Sequence, residues 1–285
     1  PSSICIDDKR IYFNAYKETT IEYLLNNSDF SDKPELIERA KNSIKLVKNT
    51  GLSKYYDGIL FLKDETFQKS DKYSILVVGQ VEDDASIKYG AFKIKTNLDL
   101  LEEARKDFPE AEIYFRPHPD YIHANRNNNS KMSHIKKLAI ILDSEIPLNE
   151  VLSKVNHVYT ITSLVGLEAL IYGKKVTTCG VPFYSNWGLT EDKKKIRRRK
   201  KERSLEELFA IAYLEYPKYF HLVSDEKVTF EDTAFYFLFE VIKDGEIFKL
   251  DKNKIFKQVK ENNFYYYTPM EVLKYLVSTK FPAEA

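Results

Sequence analysis

One stretch constrains this chain more than any other: His157–Asp192, HVYTITSLVGLEALIYGKKVTTCGVPFYSNWGLTED. β-Branched and aromatic residues fill most of His157–Thr162, as a strand requires. Ser163 marks a turn. Helix-forming residues then run from Leu164 to Tyr172, and Gly173 stands where a helix C-cap is expected. Val176–Cys179 makes the next short strand. Strand, turn, helix and strand in this order form a βαβ unit, which sets its two strands parallel in one sheet. The turn puts Thr162, Ser163 and the backbone N–H groups of Leu164–Gly166 at a helix N-terminus, where unpaired donors and the helix dipole favour an anion such as phosphate. Glu168, in the first turns of the same helix, is within reach of a ligand held there.

The preceding residues continue the alternation. Strands are expected at Ile75–Val78, Glu112–Phe115 and Leu138–Leu142. Helices are expected at Asn97–Lys106 and at Leu148–Lys154, with Pro147 leading into the second. Near-continuous apolar strands separated by helices predict an α/β fold with a parallel sheet covered on both faces. Earlier still, Ile4–Asp7 and Ile11–Ala15 read as a hairpin around Asp8-Lys9-Arg10, and Thr19–Asn26 as a short amphipathic helix begun by Thr19 or Thr20. A longer helix starts at Asp32-Lys33-Pro34, with Asp32 as N-cap and Pro34 in the first turn. It runs to about Asn49, where Gly51 stops it, with Ile37, Ala40, Ile44 and Val47 as its apolar stripe. Tyr55–Leu62 connects to a charged linker, Lys63–Lys72. Asn125–Ser130 reads as a polar loop, Leu205–Leu214 as a helix, and the residues beyond Pro217 as further helices. The expected divisions are residues 1–70, 74–219 and 220–285.

Composition narrows the partners. With 44 Lys and Arg against 43 Asp and Glu, whole-chain charge predicts no polyanion partner. The two cysteines, Cys5 and Cys179, are isolated, so neither a disulfide framework nor a metal spacing is present. The apolar runs are far shorter than the ~20 residues of a membrane span, and no signal peptide opens the sequence. A reducing cytoplasm is the expected compartment. Nine basic residues between Lys193 and Arg203 form the one strong charge run. It suits a solvated face, attraction to an anionic membrane surface, or nucleic acid. No aromatics interleave it and no recognition motif surrounds it, so nucleic acid is not expected.

Ligands of an open parallel sheet bind beyond the carboxyl ends of its strands. Three segments fall there: Gly79–Ser86, Arg116–Asp120 and Thr160–Gly166. Arg116, His118 and a helix N-terminus suit a phosphate. The acidic pair Asp83 and Asp84 suits a proton or a developing cation. A sugar nucleotide has both parts, because its leaving group is a phosphate and its sugar passes through an oxocarbenium-like state. Each piece also has an ordinary structural use, as solvated loop acid, rigid turn or N-cap, so the residues alone lead to an α/β protein binding a phosphorylated ligand.

Several motifs carry a resemblance. GQVEDDASI at Gly79–Ile87, RPHPD at Arg116–Asp120, TITSLVGLEALIYGKKV and GVPFYSNWGLTED resemble the KpsC family of capsule polysaccharide proteins, as do PSSICIDDKRIYFNA, GLSKY and EYPKY elsewhere. The likeness covers roughly Pro1–Tyr219. That family implies a GT-B fold of two Rossmann-like domains, with residues 74–219 as the donor domain and 1–70 as part of the acceptor-side domain, incomplete here. It implies retaining β-Kdo transfer from CMP-Kdo to a lipid-linked Kdo acceptor on a phosphatidylglycerol-type anchor, at the inner face of the membrane, with no metal or other cofactor. By resemblance, Gln80, Arg116, His118, Pro119, Thr162, Ser163, Gly166 and Glu168 would hold the donor. Asp84 would be the nucleophile, with Asp83 as the fallback. Lys193, Lys194, Arg197 and Arg198 would meet the acceptor or another anion. Family modules carry a further upstream segment, so this chain is expected to bind donor better than it catalyses transfer. Other readings remain: a Kdo-transferase module of a capsule polymerase that alternates Kdo with another sugar, or a non-catalytic protein binding nucleic acid or anions through Lys193–Arg203.

Overall fold

Strand β2 (Ser74–Val78) is buried at all five positions, as a central strand covered on both faces must be. It belongs to a six-stranded parallel sheet in the order β4-β3-β2-β5-β6-β7. Its other members are β3 (Glu112–Arg116), β4 (Ile140–Ile141), β5 (His157–Thr160), β6 (Lys175–Thr178) and β7 (Glu191–Asp192). This is the doubly wound order, whose direction of winding reverses between β2 and β5. The computed structural model describes residues 3–53, 67–118, 129–143, 146–221 and 226–243.

The chain divides into two compact units, Asp7–Asp29 with Asp64–Leu208, and Pro1–Ile6 with Phe30–Lys63 and Phe209–Ala285. The first holds the parallel sheet. Ile75, Val77, Ile113 and Phe115 pack there with Leu100, Leu101 and Ala104 of helix α4 (Asn97–Asp107). Helix α1 (Thr20–Asn27) belongs to the same unit and is capped by Thr19, whose hydroxyl accepts from the Glu22 N–H. α3 (Ala85–Gly90) follows β2, and α5 (Asn129–Leu138), α6 (Leu148–Lys154), α7 (Val165–Ile171) and α8 (Leu205–Phe209) come later in the chain. Gly173, at φ +70°, ends α7 as expected, because the left-handed region carries no Cβ penalty at glycine.

The second unit is built on a small antiparallel sheet of β1 (Ser3–Cys5), β8 (Pro217–Phe220) and β9 (Lys227–Val228). Helix α2 (Pro34–Thr50), a π-helical turn at Ala210–Glu215 and α9 (Phe230–Lys243) complete its described part. Buried Glu231 there takes a two-pronged bond from Arg39, at 2.8 and 2.7 Å, and a third from Ser43 at 3.1 Å.

Several sequence expectations change. No hairpin joins Ile4–Asp7 to Ile11–Ala15: Ser3–Cys5 pairs with Pro217–Phe220 instead, and Ile11–Ala15 is irregular. Asp32 does not cap α2. Lys33 holds that position without a side-chain bond, and the buried stripe is Ala40, Ser43, Leu46, Val47 and Thr50 rather than one through Ile37 and Ile44. Helix α5 already begins at Asn129, inside the expected loop, and the strand expected over Leu138–Leu142 is two residues long. The helix from Leu205 turns π at Ala210, and β8 and β9 precede any helix beyond Pro217. Tyr55–Leu62 lies outside the described residues.

Candidate functional site

The reversal of winding between β2 and β5 opens a crevice at their carboxyl ends, and the chain fills this point with one glutamine. Gln80 is 7% exposed. Its Oε1 accepts from the Thr162 N–H at 2.8 Å, and its Nε2 donates to Thr162 Oγ1 at 3.0 Å. Asn97, wholly buried at the start of α4, pairs with the Gln80 main chain in both directions, at 2.8 and 2.9 Å. The Asn97 N–H donates to Glu82 at 2.9 Å. The loop after β2 is therefore locked to the loop after β5. Asn97 carries no signal in the sequence, since an asparagine early in a helix is commonplace.

Three more close approaches define the crevice. The Gly79 N–H donates to Arg116 O at 2.8 Å, and a Cβ on Gly79 would fall 3.0 Å from Pro117 Cα, so the ends of β2 and β3 meet here. A Cβ on Gly90 or Gly180 would come within 2.8 Å of Thr162 Cγ2. A Cβ on Gly166 would fall 2.2 Å from Tyr184 Oη, and the Tyr184 hydroxyl donates to Ser163 O. Burial drives the Tyr184 hydroxyl well above its ordinary pKa, with Glu168 adding to the effect, so it serves as a donor. Burial likewise pushes Tyr172 up to about 12, with Glu168 again contributing.

The expected site residues sit as follows. Gln80 and Thr162 are joined directly, and Thr162 Oγ1 reaches Ser86 at 3.2 Å. The anion cradle expected at Leu164–Gly166 is largely engaged within the chain. Ser163 N–H donates to Thr160 Oγ1 at 3.1 Å, Val165 N–H to Ser163 Oγ at 3.3 Å and Gly166 N–H to Ser163 O at 3.1 Å. Ser163 Oγ accepts from the Val165 N–H, and a hydroxyl that accepts can still donate its own O–H. Arg116 ends β3 and gives Nη1 to Ile146 O at 2.5 Å, while His118 is half-buried two residues further on. Pro119 lies outside the described residues. Asp83 and Asp84 are exposed, and Asp84 Oδ1 caps α3 by accepting from the Ser86 N–H at 2.7 Å. The α3 cap thus ties Asp84 to the residue that touches Thr162.

Part of the basic run is built into the fold, while Lys193, Lys194, Lys195, Arg197, Lys200 and Lys201 remain exposed. Lys193 lies between Glu103 at 2.8 Å and Asp107 at 2.5 Å. Arg198 and Arg199 both reach buried Glu22, at 2.5 and 3.2 Å. Arg199 also donates to Pro182 O and Ser185 O, and Arg203 to Leu25 O and Ser28 O. Lys194 and Arg197 are exposed. His157 is wholly buried in β5, within 2.9 Å of Thr177 Oγ1 and 3.3 Å of the Tyr73 hydroxyl. Among the described residues no group of three His, Cys, Asp or Glu side chains is placed to hold a metal ion, and no helix is long and apolar enough to cross a membrane.

Residues 13–221 match the family model described as "Capsule polysaccharide biosynthesis protein". The chain belongs to that family. Within it, the chain is 43% identical over 222 residues to the lipopolysaccharide-processing protein LpsZ of Rhizobium meliloti, covering 77% of this chain and 50% of LpsZ. It is 38% identical over 234 residues to the capsule polysaccharide modification protein LipA of Neisseria meningitidis serogroup B, covering 82% of this chain and 32% of LipA. The chain therefore spans half the length of one curated relative and less of the other. Two solved structures of Thermosulfurimonas dismutans KpsC are similar. The β-Kdo 2,7 transferase superposes with a TM-score of 0.70 at 34% identity, and the β-Kdo 2,4 transferase with 0.74 at 31%. Each covers 84% of this chain and 73% of the KpsC chain. The parallel sheet of this family member is thus that of a GT-B-like fold.

Proposed function

We propose that this family member supplies the donor site of a retaining β-Kdo transferase, which moves Kdo from CMP-Kdo to a lipid-linked capsule acceptor at a membrane surface. The observation that carries the reading is the conjunction of likeness to two KpsC Kdo transferases with a switch point locked by Gln80 and Thr162. In this reading the CMP phosphate leaves toward Ser163 and Arg116, with His118 beside the nucleotide and Glu168 at its cytidine end. Asp84, held at the start of α3, attacks C2 of Kdo. The bond from C2 to the phosphate oxygen breaks and its electron pair departs with CMP, leaving a Kdo ester on the carboxylate. An acceptor hydroxyl then attacks C2, loses its proton and frees Asp84. Two inversions give net retention. Arg116, His118 and the Ser163 hydroxyl supply the field that stabilises the departing phosphate.

The test is covalent trapping. Incubation with CMP-Kdo, acid quenching, digestion and mass spectrometry are expected to yield one peptide heavier by a Kdo residue, with the adduct on Asp84. Asp84→Ala is expected to abolish the adduct while calorimetric CMP binding persists. An adduct on Asp83, or one surviving in Asp84→Ala, removes Asp84 from the mechanism; absence of CMP binding by the unaltered chain refutes the donor reading itself.

A further inference from the structure

The sheet-bearing unit carries a row of aromatic rings that donor chemistry leaves without a task. Phe13 and Tyr89 stack with centroids 6.4 Å apart and planes 30° apart, and Tyr16 and Phe92 lie 5.4 Å apart. Both pairs arise from two segments held side by side, since the Ala15 N–H donates to Tyr89 O at 2.9 Å and each segment offers rings three residues apart. A core would bury them all, yet Tyr16 is 55% exposed and Tyr89 37%, while Phe13 and Phe92 are half-buried. The row also adjoins the crevice. A Cβ on Gly90 would lie 2.8 Å from Thr162 Cγ2 and 3.4 Å from Phe13 O, so the backbone between Tyr89 and Phe92 passes directly against the switch point. Two cations overhang the rings: Lys88 Nζ stands 5.4 Å above Tyr89, and Lys194 Nζ 5.1 Å above Phe92.

Partly exposed aromatic rings bordered by ammonium groups suit a ligand with one apolar face and a negative charge on its rim. The C–H face of a pyranose is such a surface, and a sugar acid adds the charge. We propose that Phe13, Tyr16, Tyr89 and Phe92 form a platform for an acidic saccharide, whose ring packs on the aromatic faces while its carboxylate meets Lys88 and Lys194. The platform rests on the transferase reading in one respect, that the saccharide is the acceptor's terminal residue. α3, capped by Asp84 at one end and carrying Lys88 and Tyr89 at the other, is six residues long, a span of about 9 Å. The Lys88–Tyr89 end of the platform and the Asp84 cap therefore belong to one short helix.

The experiment is a pair of titrations on the full chain, with saturation-transfer NMR for a Kdo disaccharide and for maltose as the neutral control, and calorimetry for CMP. The unaltered chain is expected to bind the acidic disaccharide and not maltose. Tyr16→Ala and Tyr89→Ala are expected to weaken the disaccharide about tenfold, a loss of ~1.4 kcal/mol, with CMP affinity unchanged. Lys88→Gln with Lys194→Gln leaves the rings in place and is expected to weaken the acidic disaccharide alone. Equal binding of maltose, or aromatic variants that bind the disaccharide like the unaltered chain, overturns the platform. So does a parallel loss of CMP binding, which would make the rings part of the donor pocket. If the unaltered chain binds the disaccharide but not CMP, the donor reading falls and the platform stands.

Discussion

Replacing Gln80 by leucine tests the lock at the switch point. The substitution keeps the volume roughly constant and leaves the backbone pairing with Asn97 intact, because that pairing uses only the Gln80 main chain. It removes the bonds from Gln80 Nε2 to Thr162 Oγ1 and from the Thr162 N–H to Gln80 Oε1. Thr162 Oγ1 still has Ser86, but Thr162 is 8% exposed and its N–H loses the acceptor that Gln80 supplied. Stranding one buried donor costs about 1–3 kcal/mol. At a urea m-value of about 2 kcal/mol/M, a 2 kcal/mol loss moves the unfolding midpoint down by about 1 M. A cycle with Thr162→Val separates the pair from its surroundings. Thr162→Val removes the hydroxyl end of the network only, so the two changes are expected to be non-additive by about 1 kcal/mol. CMP affinity is expected to fall in Gln80→Leu as well, since the loop after β5 is no longer held against the loop after β2. A midpoint shift below about 0.3 M, with additive single changes, would refute the claim that this side chain holds the crevice together.

Three further outcomes follow from the same geometry. Glu22→Ala leaves Arg199, whose side chain is 1% exposed, without its buried counter-charge; stability is expected to drop by about 3–5 kcal/mol in urea unfolding, and a loss under about 1 kcal/mol would show that the carbonyls around Arg199 suffice. Gly166→Ala drives a methyl group to 2.2 Å from Tyr184 Oη, and the expected ~1–3 kcal/mol destabilisation should be partly recovered when Tyr184→Phe removes that oxygen; strictly additive values would count against the clash. Burial holds His157 below its ordinary pKa of 6.5, so the folded state favours neutral imidazole. That contribution is fully present above pH 6.5 and is lost as pH falls toward the depressed folded value, because the unfolded chain takes up the proton first. Urea midpoints are expected to fall between pH 7.5 and 5.5, and to fall less steeply in His157→Gln; parallel profiles would dismiss His157 as the titrating group.

Features that depend on neighbours along the chain are legible in the sequence. The βαβ unit shows in strand and helix periodicity, the glycine stops at Gly51 and Gly173 in their position after helical runs, and Thr19 in its place before α1. The three loops at the strand ends are legible too, because strand direction alone sends them to one side of the sheet. The capsule-family motifs fall on these loops. Other features are set by partners far along the chain. Glu22 and Arg199 are 177 residues apart, and only tertiary packing draws Arg198, Arg199 and Arg203 out of an otherwise exposed basic run into the fold. Ile4–Asp7 reads as half of a hairpin because local pattern cannot disclose that Ser3–Cys5 pairs with β8, more than two hundred residues later. The same holds at the site. The sequence by itself determined an anion-suited turn after a parallel strand. Packing then engaged most of that turn's N–H groups within the chain and made Gln80, with Asn97 behind it, the link between two loops. A buried polar group must find a partner wherever the fold brings one, and sequence distance does not enter that requirement.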